Sequence, residues 1–138
     1  MRKRTKAREM ALKILYAWEI TAEPLEECRR KHRENITGED DSIVEFAGKL
    51  ITGIEANMAE IDAIITKHAT NWSLERMAKI DRNVLRIASY ELLFMPQTPP
   101  KVAINEAIDL VKKYGDKDSG KFVNGILDNI RKNETQHE

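Results

Sequence analysis

The spacing of apolar residues is helical along almost the whole chain, and this constrains the fold more than any other feature of the sequence. Apolar residues recur three and four positions apart from Ala7 to Trp18, from Ile43 to Ile54 and again from Met58 to Ile65. No stretch alternates convincingly with the period of two that a β-strand requires. The sequence therefore predicts an all-α protein of about seven helices.

A break near Trp72 and Ser73 divides the predicted helices into two clusters, at about residues 1–70 and 72–132. No low-complexity linker separates them, so we expect residues 1–138 to form one domain of two packed lobes. Apolar residues from Asp81 to Met95 cover most of the helix circumference, which predicts a central, buried helix. The polar tail after Lys132 is expected to fray.

The N-terminus is strongly basic, although the formal net charge of the chain is zero. Cations are unfavourable at the start of a helix, where the backbone carries partial positive charge, unless an anion binds there. Phosphate is the obvious anion, so the arm predicts a local nucleic-acid-binding patch. A disordered, solubilising terminus is the alternative. The six cations among the first thirteen residues are Arg2, Lys3, Arg4, Lys6, Arg8 and Lys13.

Several side chains near this arm lie off the first apolar stripe. Arg4, Arg8 and Lys13 are therefore expected to face outward. Tyr16 also lies off the stripe, and an exposed aromatic ring beside cations can stack on an unpaired base. The alternative for Tyr16 is a position at the edge of the core with its hydroxyl in water.

A second basic patch begins in the last turn of the helix predicted from Lys101 to Tyr114 and continues past it, at Lys112, Lys113, Lys117 and Lys121. The adjacent Phe122 is expected either to stack on a base or to pack in the core. One site made from both patches requires the first helix to pack near the last. Within the two helices beside this patch, Asn105 is expected to be a buried polar residue, and Gly125 to allow close packing against another helix.

Signals for an enzyme are poor. The three histidines (His32, His68 and His137) lack metal-ligand spacing, and Cys28 is the only cysteine. We therefore expect no catalytic residues, metal or cofactor. No signal peptide or membrane-spanning run is evident, so a cytosolic compartment is expected.

Four segments of the chain carry a resemblance to a known family. They are Arg8–Glu9 with Leu15–Trp18, then Leu85–Leu92, Lys101–Ile108 and Lys121–Asp128, the last two being the most specific. They resemble the bacterial transcription antitermination factors of the NusB family along nearly the whole chain. An rRNA cytosine methyltransferase family carries a similar N-terminal domain. Because the chain ends at Glu138 with no room for a methyltransferase domain, a free-standing protein is expected.

The resemblance implies two three-helix lobes with a short extra helix, and a role in antitermination on ribosomal RNA operons. It implies binding to single-stranded boxA RNA together with NusE, a small-subunit ribosomal protein, and entry into the RNA polymerase antitermination complex. The partner surface is expected at Asp81, Arg82 and Leu85. The expected RNA-facing residues are Arg2, Lys3, Arg4, Lys6, Arg8, Tyr16, Lys117, Asp118, Lys121, Phe122 and Asn124.

Two alternative functions remain open at this point, a protein-interaction module without direct RNA binding and the RNA-binding domain of an rRNA cytosine methyltransferase. The acidic surfaces from Glu23 to Glu27 and from Glu39 to Asp41 favour a protein-interaction module without RNA binding. The sequence also leaves open whether the chain is a monomer or a homodimer, in which shared apolar helix surface would hide the RNA face.

Overall fold

The computed structural model describes residues 2–35 and 38–135, and within these ranges it contains seven α-helices, one short 3-10 helix and no strand. The all-α prediction is confirmed; His137 lies outside the described residues. The helices are α1 (Lys3–Thr21), α2 (Leu25–Asn35), α3 (Asp41–Ala56), α4 (Met58–His68), α5 (Lys79–Phe94), α6 (Pro100–Tyr114) and α7 (Ser119–Glu134), with the 3-10 helix at Leu74–Arg76.

Local signals explain where several helices begin and end. Asp40 caps α3, because its carboxylate accepts a hydrogen bond of 2.8 Å from the backbone N–H of Ser42. Pro100 opens α6 with its backbone angle already helical. At the end of α1, Ala22 adopts the left-handed conformation (φ 60°) and donates its N–H to the carbonyl of Trp18.

Helix α5 is the centre of the structure, as its sequence predicted. It packs against α1, α3, α4, α6 and α7, and its fully buried residues include Val84, Leu85 and Asn83. Helices α5, α6 and α7 all pack on one another, while α1 packs on α2 and α3. Because α5 contacts helices of both groups, the two groups share one continuous core.

Two ionic contacts fix the direction of α1 across α5. Arg8, near the start of α1, donates to the carboxylate of Glu91 near the end of α5. Glu19, near the end of α1, accepts from Arg82 and Arg86 near the start of α5. The partners on α5 move backwards as α1 advances, so the two helices run antiparallel.

The end of α7 is tied down, and the expectation that the tail frays after Lys132 is wrong as far as the described residues reach. The helix continues to Glu134, whose carboxylate lies 2.9 Å from Lys67 and 2.7 Å from His68. Within residues 2–35 and 38–135, no helix is long and apolar enough to cross a membrane.

Two helical glycines have opposite surroundings. A Cβ built at Gly53 in α3 would overlap the ring of Tyr90, which stacks on Phe94 with ring centroids 5.4 Å apart. A Cβ at Gly125 in α7 would meet nothing within 4 Å. Close packing therefore explains Gly53 and not Gly125, so the packing role expected for Gly125 is wrong.

The same substitution at these two glycines should change stability in opposite directions. Gly53→Ala should destabilise the fold by about 1–3 kcal/mol, because Tyr90 must leave its place in the core. Gly125→Ala should stabilise it by up to about 1 kcal/mol, since alanine favours the helix and the site is open. Urea unfolding measures both free energies, and equal effects of the two changes would contradict this packing.

Candidate nucleic-acid interface

The basic arm starts α1, and three of its cations have partners inside the protein. The guanidinium of Arg2 lies 3.7 Å from the carboxylate of Glu106, and the Lys3 ammonium lies 3.0 Å from Asp40. Arg4 covers the ring of Phe46, with its guanidinium carbon 3.9 Å from the ring centroid. All three cations are exposed, and surface ion pairs of this kind contribute only about 0–1 kcal/mol. An incoming phosphate can therefore replace these partners at little cost.

The carboxylate facing Lys3 is held in its charged form. Hydrogen bonds from Ser42, and then from Lys3, lower the pKa of Asp40 to about 2. Asp40 is therefore charged at neutral pH, so its contact with Lys3 is an ion pair.

Arg8 does not face outward, and that expectation is wrong. Its side chain is 5% exposed and donates two hydrogen bonds to Glu91, at 2.8 and 2.7 Å, and a third to Glu106 at 3.2 Å. Apolar spacing cannot reveal such a position, because a buried cation is stabilised by carboxylates distant in sequence. Arg8 therefore belongs to the core and offers no free charge to RNA.

Glu106 connects this buried pair to the arm. Its carboxylate accepts a hydrogen bond of 2.7 Å from the Thr5 hydroxyl and one of 3.2 Å from Arg8, and it faces Arg2. Glu106 is therefore the buried polar residue of this part of α6, whereas the neighbouring Asn105 is exposed, contrary to expectation. The network fixes the arm against α6.

Lys6 and Tyr16 lie as expected on the exposed side of α1. Tyr16 is 40% exposed, and Ile20, one turn further along, is 56% exposed. Together they form an apolar strip on the surface of α1, with a ring available for stacking.

The turn between α6 and α7 presents the second basic patch. Lys117, Asp118, Lys121 and Asn124 are all exposed there. The turn is held by Ser119, whose buried hydroxyl accepts a hydrogen bond of 3.1 Å from the backbone N–H of Asp116. This bond holds the backbone from which Lys117 and Lys121 project.

Phe122 is half-buried and already has an aromatic neighbour. Its ring meets that of Trp72 edge to face, with centroids 5.8 Å apart and planes at 73°. Trp72 is 44% exposed, and Arg76 lies over its ring at 5.3 Å. Trp72 is thus a candidate stacking residue that the sequence analysis treated only as a break between helices.

The two basic patches are joined by α6 rather than by direct packing of α1 on α7. The main packing partners of α7 are α4, α5 and α6. Side chains of α6 reach α1 at two places: Glu106 contacts Thr5 and Arg8, and Lys113 lies 2.7 Å from Glu9. The prediction that the first helix packs near the last is therefore wrong in detail: α6 packs on α7 and its side chains contact α1.

The three residues expected to face a protein partner differ in their exposure and in their contacts. Leu85 is fully buried in α5 and offers no surface, so that expectation is wrong. Arg82 is occupied by Glu19, to which its Nε donates at 2.7 Å. Asp81 lines a cleft with Trp72, which follows α4, and with Asp116 and Asp118 of the α6–α7 turn.

Asp81 is unusual in its electrostatics. One carboxylate oxygen is buried without a hydrogen-bond partner in the described part of the chain. Burial raises the pKa of Asp81, the nearby Ser119 hydroxyl opposes this rise, and the charge of Asp116 adds to it.

Comparison with known proteins agrees with this architecture. The chain belongs to the NusB family, whose sequence model matches residues 5–132. The transcription antitermination protein NusB of Anaeromyxobacter sp. strain Fw109-5 is 47% identical over 128 residues, covering 93% of this chain and 89% of the relative. Such relatives are antitermination factors rather than enzymes, which confirms the expectation on activity.

Solved structures give the same result for the fold. The T. maritima NusB structure has a TM-score of 0.86 and 42% identity, covering 94% of this chain and 91% of that one. A structure of antitermination factors NusB and NusE in complex with dsRNA includes a chain with a TM-score of 0.84 and 37% identity, at 96% and 98% coverage.

Replacing Arg8 should remove much of the stability of the fold. Arg8→Leu leaves Glu91 buried without its cation and leaves Glu106 with only Thr5 and the exposed Arg2, and we expect a loss of about 3–5 kcal/mol. Lys6→Leu, an exposed change on the same helix, should cost no more than about 0.5 kcal/mol. Chemical denaturation compares the two variants, and a mild effect of Arg8→Leu would refute the buried network.

Asp81 should make stability depend on pH. Its pKa in the folded protein is raised, so the native state binds the proton more tightly than the unfolded chain does. Wild-type protein should therefore gain stability relative to Asp81→Asn as the pH falls through that pKa. Unfolding midpoints between about pH 7.5 and 3.5 measure the difference, with Asp109→Asn at an exposed position of α6 as control. If the stability difference between wild type and Asp81→Asn does not change with pH, the prediction is wrong.

Proposed function

We propose that this protein is a transcription antitermination factor that binds single-stranded, boxA-like RNA of ribosomal RNA transcripts. The observation that carries the proposal is that a chain with zero net charge exposes two clusters of cations. One is Arg2, Lys3, Arg4 and Lys6 on the arm, and the other is Lys117 and Lys121 at the α6–α7 turn. Named relatives are antitermination proteins, which supports the same function.

The mechanism proposed for the arm is an exchange of ionic partners. In the free protein, Arg2, Lys3 and Arg4 rest on Glu106, Asp40 and Phe46. These contacts preorganise the cations, so less side-chain entropy is lost when phosphates bind. Release of counterions from the RNA then supplies the favourable free energy.

Aromatic rings supply the second part of the proposed interface. Tyr16 and Trp72 are exposed, and Phe122 supports Trp72 from one edge. Stacking of an unpaired base on such a ring contributes about 1–3 kcal/mol. This favours single-stranded RNA, because bases within a duplex are not available for stacking.

We further propose that NusE binds next to the RNA and that the complex joins RNA polymerase in the cytoplasm. The cleft with Asp81 and Trp72 borders Phe122, so a protein there would adjoin bound RNA. A homodimer is proposed through the exposed strip of Tyr16 and Ile20, which would cover part of the RNA face. Sedimentation of the free protein and of its RNA complex distinguishes a homodimer from a monomer bound to RNA.

Reversing two free cations should weaken RNA binding through the phosphates alone. The double variant Lys6→Glu/Lys121→Glu should bind a boxA-containing RNA more weakly than wild type. The slope of log affinity against log salt should shrink by about 0.7 for each phosphate that is no longer neutralised. Titration by fluorescence anisotropy from low to high salt, with and without NusE, measures both quantities.

The control is Lys49→Glu/Lys79→Glu, which makes the same charge change at exposed positions of α3 and α5. It should leave the salt slope unchanged. An equal effect of both double variants would show that RNA binding depends on the net charge of the protein and not on the positions of Lys6 and Lys121. A wild-type protein that binds NusE and no RNA would favour the protein-interaction module instead, and preference for duplex RNA would contradict the stacking mechanism.

A further inference from the structure

The cleft that contains Asp81 differs in charge from the basic surfaces beside it. It has a volume of about 290 Å³ and opens between the 3-10 helix, the start of α5 and the α6–α7 turn. Asp81, Asp116 and Asp118 line it, and in the described part of the chain Arg76 is the one cation among its lining residues. The cleft therefore carries an excess of negative charge.

Asp81 also differs from the other buried carboxylates of the fold. Glu91 and Glu106 are buried, and Arg8 donates to both of them, at 2.7 and 3.2 Å. Asp81 is 8% exposed, yet within residues 2–35 and 38–135 it forms no ion pair and its Oδ1 accepts no hydrogen bond. A buried carboxylate is normally paired with a cation, because burial removes the water that stabilises its charge. The charge of Asp81 is therefore left uncompensated by the fold.

The groups around Asp81 do not supply a full positive charge. Asp81 lies in the first turn of α5, where the partial positive charge of the backbone favours a carboxylate without neutralising it. The nearby Ser119 hydroxyl is uncharged and already accepts a hydrogen bond of 3.1 Å from the backbone N–H of Asp116. A cation from outside the chain would supply the missing charge.

An aromatic ring indicates what kind of cation fits. Trp72 is 44% exposed and lines the same cleft as Asp81. The face of a tryptophan ring attracts organic cations, and the guanidinium carbon of Arg76 already lies 5.3 Å from the centroid of this ring. A carboxylate beside such a ring is the chemistry that binds ammonium and guanidinium groups, whereas the carboxylates repel a phosphate.

A metal ion fits the cleft less well than an organic cation. Among the residues that the structure describes, no three His, Cys, Asp or Glu side chains come together in a way that could hold a metal. Magnesium and calcium ions need several oxygen ligands, and they gain little from an indole ring. The volume of about 290 Å³ suits a small molecule or one long side chain.

We propose that this cleft binds an aliphatic ammonium or guanidinium group, which pairs with Asp81 and lies against Trp72. Lysine and arginine side chains of a protein carry such groups, and so do free polyamines. For a side chain of NusE, the inference rests on the proposed function and gives the chemistry of that contact. For a free polyamine, the cleft is a separate ligand site.

The test is a titration of isotopically labelled protein, without RNA or NusE, followed by two-dimensional NMR. The probes are n-butylamine, ethylguanidine and spermidine at neutral pH and low salt, with uncharged n-butanol as the control ligand. The chain has two tryptophans, so the indole signals report on two places. The Trp72 signal should shift saturably, at about millimolar concentrations of the single-charged probes, and the Trp18 signal should not. Butanol should shift neither.

Three variants test which side chains hold the cation. Asp81→Asn keeps the shape of the side chain and should weaken binding of butylamine at least about tenfold, because the charged partner is lost. Trp72→Leu should weaken it about 2- to 5-fold, measured at the backbone amide of Ser119. Asp109→Asn, at an exposed position of α6, removes the same charge and should bind like wild type. Unfolding midpoints show that each variant is folded.

The inference is overturned if the Trp72 signal of wild type does not shift saturably, or if Asp81→Asn and Asp109→Asn bind the amines equally. Spermidine that binds more than about tenfold tighter than butylamine identifies a free polyamine as the ligand. Comparable affinities, together with weaker binding of NusE to Asp81→Asn, identify a side chain of the partner. Because the titration contains no RNA, its failure leaves the proposed RNA binding standing, and failure of RNA binding leaves the cation site standing.

Discussion

The buried ion network of Arg8, Glu91 and Glu106 is the constraint on which the rest of the structure depends. It joins α1, α5 and α6 at a point where all three side chains are nearly excluded from water. Charges in such a place are tolerated only when each is paired and hydrogen-bonded. The network therefore fixes how α1, α5 and α6 lie relative to one another. It also sets the positions of the surface residues on α1 and α6.

The cations of this protein divide into two kinds by their surroundings. Arg8 and Arg86 are buried among carboxylates and define the architecture. Arg2, Lys3 and Arg4 are exposed and hold weak partners that an anion can displace. The same residue types thus hold the fold together where they are buried, and in the proposed function they bind phosphate where they are exposed.

Much of the fold could be predicted from apolar spacing, because helices such as α5 bury a continuous surface that the sequence displays. The errors have two origins. Arg8 was assigned to the surface, Asn105 to the interior and Gly125 to a helix contact, because a helical period does not identify which distant helix covers a given face. Leu85 was assigned to a partner surface by the family resemblance, although the apolar pattern of α5 itself predicted burial. Glu106 and Trp72 were missed because their roles depend on partners far away in sequence, Thr5 and Phe122.

The contact between Thr5 and Glu106 spans 101 positions of the chain. Thr5 therefore reaches its final contact only when α6 is in place, so the position of the first turn of α1 is set by a helix from the opposite half of the chain. Loss of α6 packing would release the arm even if α1 itself stayed helical.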